Sequence, residues 1–246
     1  MHLPQPSVKA KASLLLGGTL AVALVAAIVL TELFGEIMES IADNDGVAAW
    51  DRPVLDWALA ARTPGFTSFV AWYSNTGGPF WQPVVTGVVV AFLSWRWRDI
   101  TPLILTVIAV GGSLLITILG KNYIGRARPP IAEAVPPFES SMSFPSGHSL
   151  NALVIAGILA YLLIRHTRQH RHRRWLPWVI AALAALYSIS MGLSRVFLGH
   201  HWLTDVFGAW AIGSAWLAVV IGCHRIWHAV RSRTEPGPVE EERAPA

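Results

Sequence analysis

The chain has 246 residues, of which 53% are hydrophobic and 14% charged, with a formal net charge of +4. Soluble domains carry about 25% charged residues, so composition excludes an ordinary soluble domain, and twelve tryptophans suit a protein that meets membrane interfaces. The single cysteine, Cys223, excludes an intramolecular disulfide or a thiolate metal pair; it reads as a small buried apolar residue.

In chain order, long apolar runs fall at about 12–31, 79–95, 100–120, 147–164, 177–193 and 203–224. Each approaches the ~20 residues that cross a bilayer core. The expected fold is therefore all-α, a polytopic membrane bundle of about six transmembrane helices. Residues 1–234 form one domain without an internal repeat, and the Pro-rich, acidic tail 235–246 is expected to be disordered. The first run follows Lys9 and Lys11 as a signal peptide would, but it is long and no small-x-small cleavage site precedes Glu32, so it reads as a retained span. A loop over about 32–63 opens with Glu32, Glu36, Glu39, Asp43 and Asp45 and contains a short interfacial helix around Val54–Leu59 that covers the bundle. Residues 64–74 extend the second span as a broken or half-inserted helix, with the break at Ser74-Asn75-Thr76-Gly77-Gly78-Pro79.

Lys and Arg set the orientation. With the N-terminus inside, the inner side collects Lys9, Lys11, Arg96, Arg98, Arg165, Arg168, Arg171, Arg173, Arg174, Arg225, Arg231 and Arg233. The stretch 165-RHTRQHRHRRW-175 then reads as a positive-inside loop touching anionic headgroups, not as a nucleic-acid or metal site. Both termini are expected to be cytoplasmic, in a bacterial cytoplasmic membrane.

Three polar islands then fall on one membrane face, whichever way the protein is inserted: 121-KNYIGRARPP-130, 145-PSGH-148 and 194-SRVFLGHHWLTD-205. Lys121, Arg128 and Arg195 supply cations for phosphate, two of them as bidentate forks. Ser146 and Gly147 open a helix, where backbone amides cradle an anion. His201 and Asp205 stand four apart, so the carboxylate can fix the ring tautomer and leave the other nitrogen as a nucleophile. His148 is a second histidine, available as a general acid. Arg126 is open between a secondary phosphate contact and a solvated loop charge, and His200 has no assigned role.

These segments read K-x6-R-P (Lys121 to Arg128-Pro129), P-S-G-H (Pro145 to His148) and S-R-x5-H-x3-D (Ser194-Arg195 through His201 to Asp205). In them the chain resembles the type 2 phosphatidic acid phosphatase superfamily of membrane lipid phosphatases, and no motif position departs from the pattern. The resemblance implies that His201 attacks phosphorus to form a phosphohistidine. It implies that His148 protonates the leaving group and then activates water, and that Asp205 orients His201. It further implies that Lys121, Arg128, Ser146, Gly147 and Arg195 hold the phosphate oxygens and that no metal or other cofactor is needed. A bell-shaped pH dependence is expected, since His201 must start neutral and His148 protonated. The implied partners are a lipid phosphate and membrane lipids, with no nucleic acid; the substrate classes are undecaprenyl-type pyrophosphate, phosphatidylglycerol phosphate and phosphatidic acid, met on the outer face. The rivals are a lipid-phosphate transporter, an inactive lipid-binding relative and a vanadate-dependent haloperoxidase, the last disfavoured by the hydrophobic spans.

Overall fold

A computed structural model describes residues 8–169 and 173–234. The tail 235–246 and the centre of the expected basic loop lie outside the described residues. Among these the regular structure is helical: α1 Val8–Asp43, α2 Asp51–Ala60, α3 Pro64–Thr76, α4 Trp81–Trp97, α5 Thr101–Ile124, α6 Gly147–Gln169, α7 Leu176–Phe197 and α8 Leu203–Thr234.

Among the described residues four helices are long and apolar enough to cross a membrane: α5, α6, α7 and α8; α3 and α4 together make a fifth if the bent pair is one span. The sixth expected span, 12–31, falls on α1, where most side chains are outside the described set.

The acidic stretch expected to open a loop instead prolongs α1 to Asp43. Its acids recur every three or four residues on a helix, so they share a face and leave Ile37 and Ser40 buried on another. Asn44 then takes a left-handed conformation, φ 54°, which ends the helix. Ser40 Oγ fixes the exit: it donates to Asp45 O at 2.6 Å and accepts from Ala48 N at 2.7 Å. The short helix expected near 54–59 is α2.

α3 and α4 meet at 52° across Gly77–Phe80, where the sequence signalled a break. Pro64 starts α3 at a position whose N–H has no helical acceptor. At the opposite end, Asp99 Oδ1 accepts from Thr101 N at 2.8 Å and from its hydroxyl at 2.6 Å, and so takes up the first amide of α5.

The core lies between α5, α6 and α8. Leu150, Val154, Ile158 and Leu162 recur every four residues along α6 and pack with Leu105, Ala109, Ala209 and Val220. Gly112 leaves room for the Trp216 indole, which donates to Ala109 O at 2.8 Å. Outward-facing residues such as Val88, Phe92, Ile118 and Leu186 are exposed, as a lipid-facing surface requires. Exposed tryptophans gather at both ends: Trp50, Trp57, Trp72 and Trp81 at one, Trp95, Trp175, Trp178 and Trp227 at the other. Cys223, expected buried, is exposed on α8; Val220 and His224 take the packed side there, and a thiol facing lipid loses nothing by it. Arg165, expected in a loop, lies within α6 and pairs with His228 Nε2 at 2.8 Å.

Candidate active site

The three polar islands meet at the end of the bundle where α5 stops and α6 and α8 begin. Gly125, at φ 63°, closes α5 by donating to Lys121 O at 3.2 Å, and the chain turns into Arg126–Pro130. The following segment returns to the site through Ser143 N, which donates to Arg126 O at 2.8 Å, and Val135 N, which donates to Leu198 O at 2.9 Å. Gly199, at φ 73°, is required there: a Cβ would lie 2.6 Å from Glu133 O.

His201 is buried just ahead of α8. Its Nδ1 lies 3.3 Å from Asp205 Oδ2 and 3.4 Å from Ser143 Oγ, and its Nε2 lies 3.2 Å from Arg128 Nη1. Arg128 can only donate, so Nε2 carries the lone pair and Nδ1 the proton facing the carboxylate. Burial first, and then Arg128 and Arg195, hold the ring well below the ordinary histidine pKa, so it is neutral near pH 7. A neutral ring with an unprotonated Nε2 is the nucleophilic form, once Arg128 turns from it to an anion.

Arg128 and Arg195 converge on Glu139, a residue the sequence reading passed over. Arg128 Nη2 donates to Glu139 Oε2 at 2.7 Å, and Arg195 Nη2 donates to Oε1. His148 Nδ1 lies 3.9 Å from the same Oε1. Burial pushes the Glu139 carboxyl up, but Arg195 and Arg128 outweigh it and hold it down to about 2. Two arginines and a histidine thus surround one anionic group, in the arrangement a phosphoryl group would need. The signal was thin: one acid between Pro136-Pro137 and Ser140-Ser141, outside any motif.

Arg195 Nη1 also donates to Ser74 Oγ at 2.9 Å, at the end of α3. Lys121 Nζ lies 3.2 Å from Ser141 Oγ and also donates to Met142 O. Ser146 is committed elsewhere: its N–H donates to Asp205 O at 3.2 Å, and its Oγ pairs with Ser149 Oγ at 2.8 Å while capping Ser149 N at 3.4 Å. The first amides of α6 without a helical acceptor are therefore those of Gly147 and His148. His200 Nε2 lies 2.6 Å from Val135 O and its Nδ1 has no partner; burial and then Arg195 bring its pKa down to about 4. Arg126 is neither exposed nor aimed at the anion position, but pairs with Asp51 and Asp205, each at 2.7 Å. Arg62, also outside the motifs, donates to Phe197 O at 2.6 Å and Glu133 O at 2.7 Å and so ties the α2–α3 corner to the site loops. Among the described residues no group of three or more His, Cys, Asp or Glu side chains forms a metal-binding cluster.

A cavity of about 960 Å³ begins at Glu139, His148 and Arg195 and runs down the bundle beside the α3–α4 bend, where Val90, Val107 and Leu114 make it apolar.

The family model described as the PAP2 superfamily matches residues 99–228. The phosphatidylglycerophosphatase B of Bacillus subtilis (strain 168) is 30% identical over 184 residues, covering 74% of this chain and 86% of that protein. An undecaprenyl-diphosphatase of Sulfolobus acidocaldarius is 29% identical over 169 residues, covering 67% of this chain and 72% of that one. Among solved structures, the transmembrane PAP2-type phosphatidylglycerolphosphate phosphatase of Bacillus subtilis superposes with a TM-score of 0.72 at 25% identity, over 81% of this chain and 96% of that one. Aquifex aeolicus LpxE shares the fold, with a TM-score of 0.51 at 20% identity over 72% of this chain and 94% of that one.

Proposed function

The chain belongs to the PAP2 superfamily, and on that premise we propose that it is an integral membrane phosphatase that removes phosphate from a lipid phosphate or pyrophosphate through a phosphohistidine on His201, without a metal ion. The observation that carries this reading is the Glu139 pocket: Arg128, Arg195 and His148 gather around one anion position at the head of a lipid-sized apolar cavity, within reach of the neutral His201.

In the proposed reaction the substrate phosphoryl displaces the Glu139 carboxylate and takes over its two arginines. His201 Nε2 attacks phosphorus, the P–O bond to the lipid breaks, and His148 gives its proton to the departing oxygen. Asp205 balances the positive charge that the ring gains on phosphorylation. His148 then takes a proton from water, whose oxygen attacks phosphorus and breaks the P–N bond, freeing phosphate and neutral His201. Lys121, Arg128, Arg195 and the amides of Gly147 and His148 stabilise charge on the transferring group, and Ser146 holds the start of α6 against Asp205. Such fixed donors supply most of the rate gain in phosphoryl transfer.

The proposed substrates are phosphatidylglycerol phosphate, phosphatidic acid and undecaprenyl-type pyrophosphate; the first and last are supported by the names of the two relatives. The proposed orientation has the site on the outer side and both termini inside. The support is the basic opposite end, which carries Arg96, Arg98, Arg165, Arg168, Arg173 and Arg174.

The test is phosphate release by detergent-purified protein, with chelator present, across these lipids, beside His201→Ala. Release by the natural protein and none by the variant is expected. Binding of the lipids without any release would overturn the reading in favour of transport or lipid binding.

A further inference from the structure

Asp51 lies on α2, far in sequence from every motif, yet its carboxylate is buried against the start of α8. Oδ1 accepts from Thr204 N at 2.8 Å, and Oδ2 accepts from Thr204 Oγ1 at 2.6 Å and from Arg126 Nη2 at 2.7 Å. The other end of the same guanidinium donates to Thr204 Oγ1 and Asp205 Oδ1, both at 2.7 Å. Asp51, Arg126 and Asp205 are thus three charges in a row, with side chains 7%, 16% and 0% exposed. Arg126 also lies over the Trp202 ring at 5.8 Å.

A carboxylate with no exposure keeps its charge through neighbouring cations and hydrogen-bond donors, a cation in contact being the stronger of the two. The groups around Asp205 are few. His201 faces it from the α7–α8 turn and is neutral before reaction. Lys121 acts on it from α5 at longer range, without a hydrogen bond. Ser143 and Trp202 N donate to Oδ2 and carry no charge. Asp51 stands behind Arg126. The cation in contact with Asp205 is therefore Arg126, and both its terminal nitrogens are committed to this row.

We infer that Asp51 and Arg126 are positioning residues for the phosphatase reaction: Arg126 keeps Asp205 ionised and aimed at His201 Nδ1, and Asp51 anchors Arg126 to the first turn of α8. This rests on the proposed phosphohistidine reading and extends it to a helix outside the motifs. If Arg126 goes, Asp205 takes up a proton, can donate rather than accept, and no longer fixes His201 as the Nδ1–H tautomer. Loss of that orienting role in a serine-protease triad costs ~10⁴-fold in kcat. Here the carboxylate remains in place, so a smaller loss follows.

Arg126→Gln should lower kcat roughly 100-fold at pH 7, below that triad limit, with KM nearly unchanged because Arg126 does not touch the anion pocket. Its acidic activity edge should move to higher pH, with activity recovering toward pH 9. Arg126→Lys, which keeps the charge, should leave the edge in place and rescue part of kcat. Asp51→Asn should lower kcat without moving the edge upward, since it removes the anchor and leaves the cation. A purely structural role would lower activity in all three without separating them by pH. That result, or an Arg126→Gln effect confined to KM, would overturn the inference. The ¹⁵N spectrum of histidine-labelled protein provides a reading without turnover. His201 should show the Nδ1–H form in the natural protein and Arg126→Lys at pH 7, and lose it in Arg126→Gln. If Arg126→Gln does not fold, Arg126→Lys decides: the Nδ1–H form kept with an unmoved edge supports the inference, and an edge moved upward or loss of that form despite the kept charge overturns it. Because the spectrum needs no substrate, an inactive protein with the expected tautomer shift would sink the phosphatase reading and keep only the control of the His201 tautomer by Arg126; an active protein with no shift would keep the phosphatase reading and sink this inference.

Discussion

Glu139 occupies the two arginines that the proposed phosphoryl group must use, so substrate and side chain compete. Glu139→Gln removes the competing charge and keeps the shape. It is expected to lower KM and the orthovanadate concentration for half inhibition, by up to ~10-fold for each 1.4 kcal/mol of competition removed. An unchanged KM and vanadate sensitivity would mean that the carboxylate does not oppose binding. A second consequence concerns acid. His201 and His200 both have folded pKa values below the ordinary value of 6.5, driven first by burial. The unfolded chain therefore binds more protons below that pH, and stability falls as pH drops from about 6.5 toward 4. His200→Gln can keep a donor near Val135 O while removing one titration. Its melting temperature should fall less steeply over that window than the natural protein's; parallel curves would remove His200 from the account.

At this scale the motif residues were legible because each carries a charge or ring at a fixed local spacing. His201 and Asp205 needed only the i,i+4 rule to be paired. Glu139 and Asp51 were not legible, since neither belongs to a local pattern. Their meaning comes from partners 56 residues away at Arg195 and 153 residues away at Thr204. Ser146 was legible as a helix opener, but the use of its hydroxyl on Ser149 depends on the burial of that turn.

At the scale of elements, the α3–α4 bend was readable from Gly77-Gly78-Pro79, because such residues break a helix wherever they fall. The end of α1 was misplaced, because acids alone do not stop a helix; the left-handed Asn44 does. The face of α4 toward the cavity carries Gly87, where an added Cβ meets nothing within 4 Å. Gly87→Phe should fit there and fill the groove. Long-chain lipid phosphates are then expected to lose more than about 10-fold in kcat/KM, the size of ~1.4 kcal/mol of lost binding, while a soluble short-chain phosphate keeps its rate. Equal loss on both substrates would place the lipid tail elsewhere.

For the whole molecule, the proposed insertion, with the basic end inside and the site outside, is open to a direct labelling test. Tyr123, 92% exposed at the site end, reports on it. In a Cys223→Ser background, Tyr123→Cys should react with a membrane-impermeant maleimide added outside intact cells, and Arg98→Cys should not. The reverse pattern would turn the site inward.

The cavity joins two unlike surroundings. Its head is lined by Ser140, Ser141 and charged side chains, and its lower length by aliphatic ones. In the proposed reaction the cleaved lipid belongs to the bilayer and the released phosphate to water, so the two products partition into different phases. Return of either product to the site is then set by its own phase, phosphate by its concentration in water and the lipid by its density in the bilayer. Product inhibition is then expected from both sides, by dissolved phosphate at the head of the cavity and by the dephosphorylated lipid along its apolar length.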